Sequence, residues 1–284
     1  MMPEFMHVCF LKIWKILREM MNITKIKYSI SNRFLSVLSQ GILPWKLDAP
    51  INVVTRKKYN AINFLNLSCI TFQNGYKSNL WGTYDQWHKI GMQVEKRPEE
   101  AKTWSADVLV WENQRYKKHA VFNTNQVFGK DLIKYLSFKT ELNEDYSCLD
   151  SIIANAEVDI EESKDLKEQA FLFYKENKIK IPNKESFSNK RQYYSTIMHE
   201  FIHWSESKLN WVGEEHENEL IAEMAVGFIE SELNLKKCED SSNALFYLND
   251  WKKSIEENPD FLFKAASQAN KAANFVLSLQ NQDK

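Results

Sequence analysis

Residues 195–207, STIMHEFIHWSES, carry two histidines four positions apart, with a glutamate directly after the first. In an α-helix, positions i and i+4 share one face about 6 Å apart, so His199 and His203 can direct imidazole nitrogens at one ion. Glu200 falls on the neighbouring strip, where it can serve as a base without being a ligand. The stretch predicts a metal-dependent hydrolase site on a helix over residues 190–208; the alternative is a helix with merely hydrogen-bonded histidines.

A third ligand is required, because catalytic zinc sites combine three protein ligands with one open position. The sequence ENELIAEM, in a second predicted helix over residues 217–233, places Glu219 and Glu223 four apart on one face. A hairpin, an HExxH helix and then an acidic helix resemble the gluzincin metallopeptidases. This resemblance implies that Glu219 is the third ligand and that Glu223 accepts the ring N–H of His199. Ligation by Glu223 instead of Glu219 is the alternative.

Three further polar residues lie near this motif. His216 is predicted to be a solvated loop residue, with metal ligation or oxyanion stabilisation as alternatives. Tyr193 and Tyr194 are predicted to be packing residues rather than donors to a transition state. The expected metal is Zn²⁺, with Mn²⁺ or Co²⁺ as alternatives, and Glu200 is expected to take a proton from the attacking water.

A peptide substrate is expected to pair with the strand KIKIP, residues 178–182, because metallopeptidases bind extended peptides along a sheet edge. The surrounding sequence, AFLFYKENKIKIP, predicts a hairpin that turns at Glu176 and Asn177. A further helix is predicted to begin at Asn258 and Pro259, a capping residue followed by a proline suited to the first turn.

Charge divides the chain into two unlike halves. Residues 1–130 carry 19 Lys and Arg against 9 Asp and Glu, a net charge of +10, whereas the remainder carries −11. This split indicates two domains with different partners, of which the basic one is the candidate to bind a polyanion. Four cysteines lie far apart and form no CxxC pair, which excludes a zinc knuckle or disulfide framework and indicates a cytoplasmic protein.

The first 21 residues, MMPEFMHVCFLKIWKILREMM, contain an apolar run broken by Lys12, Lys15 and Arg18. The run is too short to span a membrane and lacks the cleavage site of a signal peptide. It predicts an N-terminal extension, with an amphipathic helix on a membrane or partner as the alternative.

The basic half interleaves aromatic and cationic residues, a pattern typical of single-stranded nucleic-acid binding by base stacking in a cationic groove. Composition alone equally allows a tryptophan core with solvated lysines. The candidate DNA contacts are Trp45, Arg56, Lys57, Lys58, Tyr59, Asn63, Trp81, Gln86, Lys96, Arg97 and Arg115. Local patterns in this half predict a helix through Ile26 and Leu38 that ends before Gly41, a short helix closed by Gly91, and a strand over residues 107–111.

The order of motifs resembles the ArdC antirestriction family over residues 26–278. The matching segments include GILPW, NVVTRKKYNAIN, WGTYDQWHKIG, KIKIPNKESFSNKRQYYSTIMHEFIHW and ENELIAEMAVGFIESELN. The resemblance implies an α+β fold with an N-terminal single-stranded-DNA-binding domain and a C-terminal zincin-like metallopeptidase domain of the gluzincin type. We expect these domains at residues 22–130 and 149–284, joined by a linker at residues 131–148. It also implies carriage on mobile elements and protection of incoming DNA from restriction.

Three functions are consistent with the sequence. The first is a single-stranded-DNA-binding antirestriction protein that is also a metallopeptidase. The second is a DNA-binding protection protein whose metal is structural. The third is a metallopeptidase that acts on host regulatory proteins and uses its basic half to dock substrates.

Overall fold

The computed structural model describes residues 4–101, 103–112, 115–166 and 169–281, with residues 4–20 and 281 described by their backbone alone. The predicted N-terminal extension, residues 1–21, therefore lies almost wholly outside the part with described side chains. Within the described residues, no helix is both long and apolar enough to cross a membrane.

Helices and strands alternate irregularly along the chain, which confirms the predicted α+β class. The helices are α1 Glu4–Leu38, α2 Ala61–Asn74, α3 Tyr84–Lys89, α4 Leu132–Leu136, α5 Ser147–Asn155, α6 Lys190–Lys208, α7 Glu215–Glu232, α8 Ser242–Glu257 and α9 Pro259–Ser278. The strands are β1 Ile51–Asn52, β2 Leu80–Gly82, β3 Gln93–Val94, β4 Ala106–Glu112, β5 Arg115–Asn123, β6 Val127–Phe128, β7 Asp159–Ser163, β8 Phe171–Phe173 and β9 Lys178–Pro182.

The N-terminal sheet has the strand order β1-β2-β5-β4. Within the described part of this sheet, β1 and β2 are parallel and the other two pairs are antiparallel. The predicted strand over 107–111 is confirmed as part of β4, which forms a hairpin with β5. The apolar run after residue 60 is the helix α2, and Gly75 ends it with a φ of +61°. The Asn63 side chain of α2 donates to the Leu109 carbonyl and accepts from the Leu109 N–H, both at 2.8 Å, and so covers the outer edge of β4.

The C-terminal sheet has the order β7-β9-β8, with β9 parallel to β7 and antiparallel to β8. The predicted hairpin at Asn177 is confirmed, and this residue has a φ of +49°. The prediction that a peptide pairs with residues 178–182 is wrong, because β9 is hydrogen-bonded on both sides and its Ile179 and Ile181 are fully buried. The outer strand beside the HExxH helix is β8, and the backbone of Leu172 in this strand slightly lowers the pKa of the Glu200 carboxyl.

One hydrophobic core joins the two halves of the chain. Trp45, just after α1, stacks on Phe34 and packs edge-on against Trp251 of α8, with ring centroids 6.2 and 6.0 Å away. In the same way Phe64 of α2 meets Phe228 of α7 at 5.2 Å. The N-terminal half therefore packs directly against the helices around the candidate site.

The two halves of the chain approach each other closely at Gly227, in the interior of α7. A Cβ atom at this position would lie 2.7 Å from the Trp45 carbonyl oxygen. Lys237 donates to that same carbonyl and to the Leu47 carbonyl, at 2.7 and 2.6 Å. Glycine at 227 thus lets the segment after α1 lie directly on α7.

Candidate metal centre

Helix α6 presents both motif histidines on one face, as the four-residue spacing predicts. Asn189 caps the helix by accepting the Gln192 N–H at 3.0 Å, and the helix then runs over the whole predicted range, residues 190–208. The opposite face is buried in the core through Ile197 and Phe201. This burial fixes the helix rotation and brings the Nε2 atoms of His199 and His203 to 3.1 Å from each other.

Helix α7 supplies the carboxylate that completes the cluster. Glu219 places Oε2 3.2 Å from His199 Nε2 and Oε1 3.3 Å from His203 Nε2. One ligand-type atom from each of these three residues lies within 4.8 Å of the others. Two imidazoles and one carboxylate form the donor set of a catalytic zinc site, so these residues fit a divalent metal ion. The geometry favours Glu219 over Glu223 as the third ligand.

The electrostatics of the cluster suit a cation. Burial opposes charge on His203, but its hydrogen bonds to Glu206 and Glu219 outweigh burial and raise its pKa to about 10. Burial would likewise raise the pKa of Glu219, yet hydrogen bonds from His199 and His203 dominate and lower it well below its usual range. A positive charge is therefore stabilised at the point where an ion would bind.

Glu206 is a site residue that the sequence analysis missed. Its Oε1 lies 2.7 Å from His203 Nδ1, and its Oε2 accepts the Tyr174 hydroxyl at 3.0 Å and the Asn218 amide at 3.4 Å. A carboxylate on the second ring nitrogen fixes the tautomer that leaves Nε2 free to bind metal. The available signal was its position three residues after His203, one turn further along the same helix face.

The predicted hydrogen bond from the ring of His199 to Glu223 is not formed in the structure. Oε1 of Glu223 is 4.0 Å from His199 Nδ1, which is too long for a hydrogen bond. Asn243 of α8 instead donates to both acidic residues, at 2.8 Å to Glu219 Oε2 and 3.3 Å to Glu223 Oε1. Asn243 therefore holds the ligand carboxylate from a helix that the sequence analysis did not predict.

Glu200 is half-buried beside the cluster and lies near the backbone of β8. Burial raises the pKa of its carboxyl, while the charges of His199 and His203 partly offset this effect. A carboxylate whose pKa is shifted toward neutrality is suited to take up and return a proton.

The other polar candidates near the motif have structural partners. His216 lies in the first turn of α7, half-buried rather than in a solvated loop, with Nε2 3.0 Å from the Ser254 hydroxyl and its ring stacked on Phe261. Tyr193 and Tyr194 are buried, and their hydroxyls donate to Glu162 and Asp150 at 3.2 and 2.6 Å.

Some of the predicted DNA contacts are core residues instead. Trp45 and Trp81 have no exposed surface, so a base cannot stack on either ring in the folded protein. Lys58 donates to the Ser231 carbonyl and to Asn234 at the end of α7 and is therefore committed to an internal contact.

Three further predicted DNA contacts are held by hydrogen bonds within the N-terminal half. Asn63 bonds the β4 edge as described above. Gln86 caps α3 by accepting the Thr83 N–H at 2.9 Å. The half-buried Tyr59 accepts the Asn52 amide at 3.2 Å.

The remaining candidates lie on the surface. Arg56 has a φ of +60° and holds its guanidinium 5.0 Å from the centroid of the Phe138 ring. Lys57, Lys96, Arg97 and Arg115 are exposed. These five cations are the predicted contacts that a polyanion could reach.

Two family profiles match successive parts of the chain. Residues 147–268 match a zincin-like metallopeptidase, and residues 22–140 match the N-terminal domain of anti-restriction factor ArdC. The fold and the site thus define a protein that joins a zincin-like metallopeptidase domain to an ArdC-type N-terminal domain. The chain is an ArdC-like protein.

Named relatives agree with this assignment. DNA primase TraC of Escherichia coli is 25% identical over 297 residues, covering 89% of this chain and 27% of the primase. The chain therefore spans about a quarter of the length of that relative. The Sinorhizobium fredii (strain NBRC 101917 / NGR234) protein y4eC is 24% identical, with 91% of this chain and 93% of that protein covered.

Two solved structures share the fold. The metal-free and Mn(II)-bound crystal structures of antirestriction ArdC protein from plasmid R388 superpose with TM-scores of 0.70 and 0.72. They are 24% and 23% identical to this chain, and each alignment covers 91% of this chain and 99% of the other.

Proposed function

We propose that this ArdC-like protein binds single-stranded DNA through its N-terminal half and hydrolyses a peptide bond at the His199, His203 and Glu219 centre. In this proposal it protects incoming mobile DNA from restriction in the cytoplasm. The observation that carries the proposal is the compact His₂Glu cluster, with a half-buried glutamate, Glu200, beside it. The matching ArdC-type N-terminal domain supports the DNA-related part.

The proposed metal is Zn²⁺, with Mn²⁺ or Co²⁺ as alternatives. The Mn(II)-bound relative supports a divalent ion at this site. When bound, such an ion supplies Lewis-acid polarisation of a carbonyl and lowers the pKa of water.

The chain's own residues then carry the proton steps. Glu200 takes the proton of the attacking water as the new C–O bond forms, and returns it to the amine nitrogen as the C–N bond breaks. The backbone of Leu172 in β8 lies near the Glu200 carboxyl and slightly lowers its pKa. Glu206 keeps His203 in the binding tautomer, and Asn243 orients Glu219.

The peptide is proposed to run along the outer edge of β8, Phe171–Phe173. This strand lies at the edge of the three-stranded sheet and contacts the carboxylate proposed as the base. An extended peptide can add to such an edge through backbone hydrogen bonds.

Glu200→Gln tests the catalytic role, because the change removes the base and keeps the three ligands. We expect the variant to retain metal and DNA binding and to lose cleavage of a peptide library analysed by mass spectrometry. Glu176→Gln, the same change at the exposed hairpin turn, is the control. Undiminished cleavage by Glu200→Gln would refute the assignment of the base.

The same variant separates the alternatives. Restriction protection that persists without Glu200 would favour a DNA-binding protein with a structural metal. Protection that requires Glu200 in a protein that does not bind single strands would favour a metallopeptidase acting on host regulators. For the DNA-binding role, affinity should fall steeply with added salt because phosphate contacts release counterions.

A further inference from the structure

The β4–β5 hairpin exposes an aromatic pair. Trp111 is 62% exposed and Tyr116 is 38% exposed, although Trp45, Trp81 and Trp87 in the same half are fully buried. Trp111 and Tyr116 face each other in the antiparallel register, with ring centroids 4.8 Å apart and planes at 72°. Each ring fixes the orientation of the other, which leaves a large indole surface in contact with water.

The base of the hairpin is buried and is hydrogen-bonded to α2. Val108 and Leu109 are buried, and the Asn63 amide holds both backbone groups of Leu109. Asn66 donates to the Asp107 carbonyl at 2.9 Å. A ligand at the aromatic pair would therefore bind a pre-ordered surface and lose little entropy in ordering it.

Lys118 of β5 lies on the same face of the hairpin as the aromatic pair and pairs with Asp107 at 3.3 Å. Arg115 and Lys117, which pairs with Glu112 at 2.6 Å, lie on the opposite face. Ion pairs at such exposure contribute little to stability, so Lys118 can exchange a carboxylate for a phosphate. The net charge of +10 on residues 1–130 attracts a polyanion to this half.

We propose that Trp111 and Tyr116 form a base-stacking platform for single-stranded nucleic acid. The proposal rests on the proposed DNA-binding function and locates one contact of that function. A base stacks on the exposed indole while Lys118, on the same face, contacts the adjacent phosphate. Because a duplex covers the faces of its bases, the platform selects single strands.

The test measures binding of a fluorescein-labelled oligothymidylate to the full chain by anisotropy at two salt concentrations. Trp111→Ala should weaken binding roughly 5- to 150-fold, the range expected for one stacked base. Tyr116→Ala should also weaken it, whereas Trp111→Phe should restore most of the affinity because it keeps an aromatic face. The salt dependence should be unchanged in all three, since none removes a charge.

Tyr84→Ala is the matched control, because Tyr84 is 57% exposed in the same half but lies on α3. Equal binding by wild type and Trp111→Ala would overturn the platform and leave DNA binding by this half intact. An equal loss in Tyr84→Ala and Trp111→Ala would also overturn it. Failure of the wild-type chain to bind any single strand would instead refute the proposed DNA-binding function.

Discussion

Nδ1 of His203 lies 2.7 Å from Oε1 of Glu206, so a buried carboxylate contacts the second ring nitrogen of an imidazole in the candidate metal centre. Glu206→Gln keeps the shape of the side chain but removes the charge. We expect metal affinity to fall by about 10- to 100-fold, as for other carboxylate partners of ligand histidines. Competition titration against a chromophoric chelator measures this change. Glu176→Gln should bind metal like the wild type. An unchanged metal affinity in Glu206→Gln would contradict the proposed role of Glu206 in orienting His203.

Metal affinity should depend on pH at values well above the usual pKa of histidine. Metal-free His203, with its pKa of about 10, carries a proton that an ion must displace. The apparent association constant should therefore fall about tenfold for each unit by which pH drops below 10. An imidazole with the ordinary pKa of about 6.5 would give a nearly constant affinity above neutral pH. Calorimetry at pH 8 in buffers of different ionisation enthalpy should show proton release. Metal binding without proton release would contradict the raised pKa of His203.

Prediction from sequence succeeded where the signal was local. The spacing of His199 and His203 determines their shared face in any α-helix, and the acidic pair of α7 follows from the same geometry. The fate of the tryptophans could not be predicted, because composition does not show which rings are covered. Trp45 is buried by helices from distant parts of the chain, a consequence of tertiary packing.

The unpredicted helix α8 shows a different limit. Its apolar residues Ala244, Leu248, Trp251 and Ile255 follow a helical spacing, so the element could have been found. The contribution of α8 to the site could not have been predicted, because Asn243 reaches Glu219 only through the packing of α8 on α7.

Removal of the Asn243 side chain should loosen the ligand carboxylate. Asn243→Ala deletes the two hydrogen bonds to Glu219 and Glu223, and a hydrogen bond to a charged group contributes about 1.5–3 kcal/mol. We expect a roughly tenfold or greater loss of metal affinity, and the free energy of unfolding of the metal-free protein should also fall, by up to about 3 kcal/mol. Leu245→Ala, at an exposed position of the same helix, is the control. Wild-type affinity in Asn243→Ala would show that α7 alone positions Glu219.

Gly227→Ala should destabilise the protein, opposite to the usual effect of this change inside a helix. Alanine ordinarily stabilises a helix interior by up to about 1 kcal/mol relative to glycine. Here the new Cβ would lie 2.7 Å from the carbonyl oxygen and 3.1 Å from the Cβ of Trp45. Trp45 is fully buried and its carbonyl is held by Lys237, so neither atom can move without cost to the shared core. We expect the free energy of unfolding in urea to fall by roughly 1–3 kcal/mol. Metal affinity should fall with it, because the displaced helix carries Glu219. Equal or greater stability of Gly227→Ala would contradict a close-packed junction between the two halves.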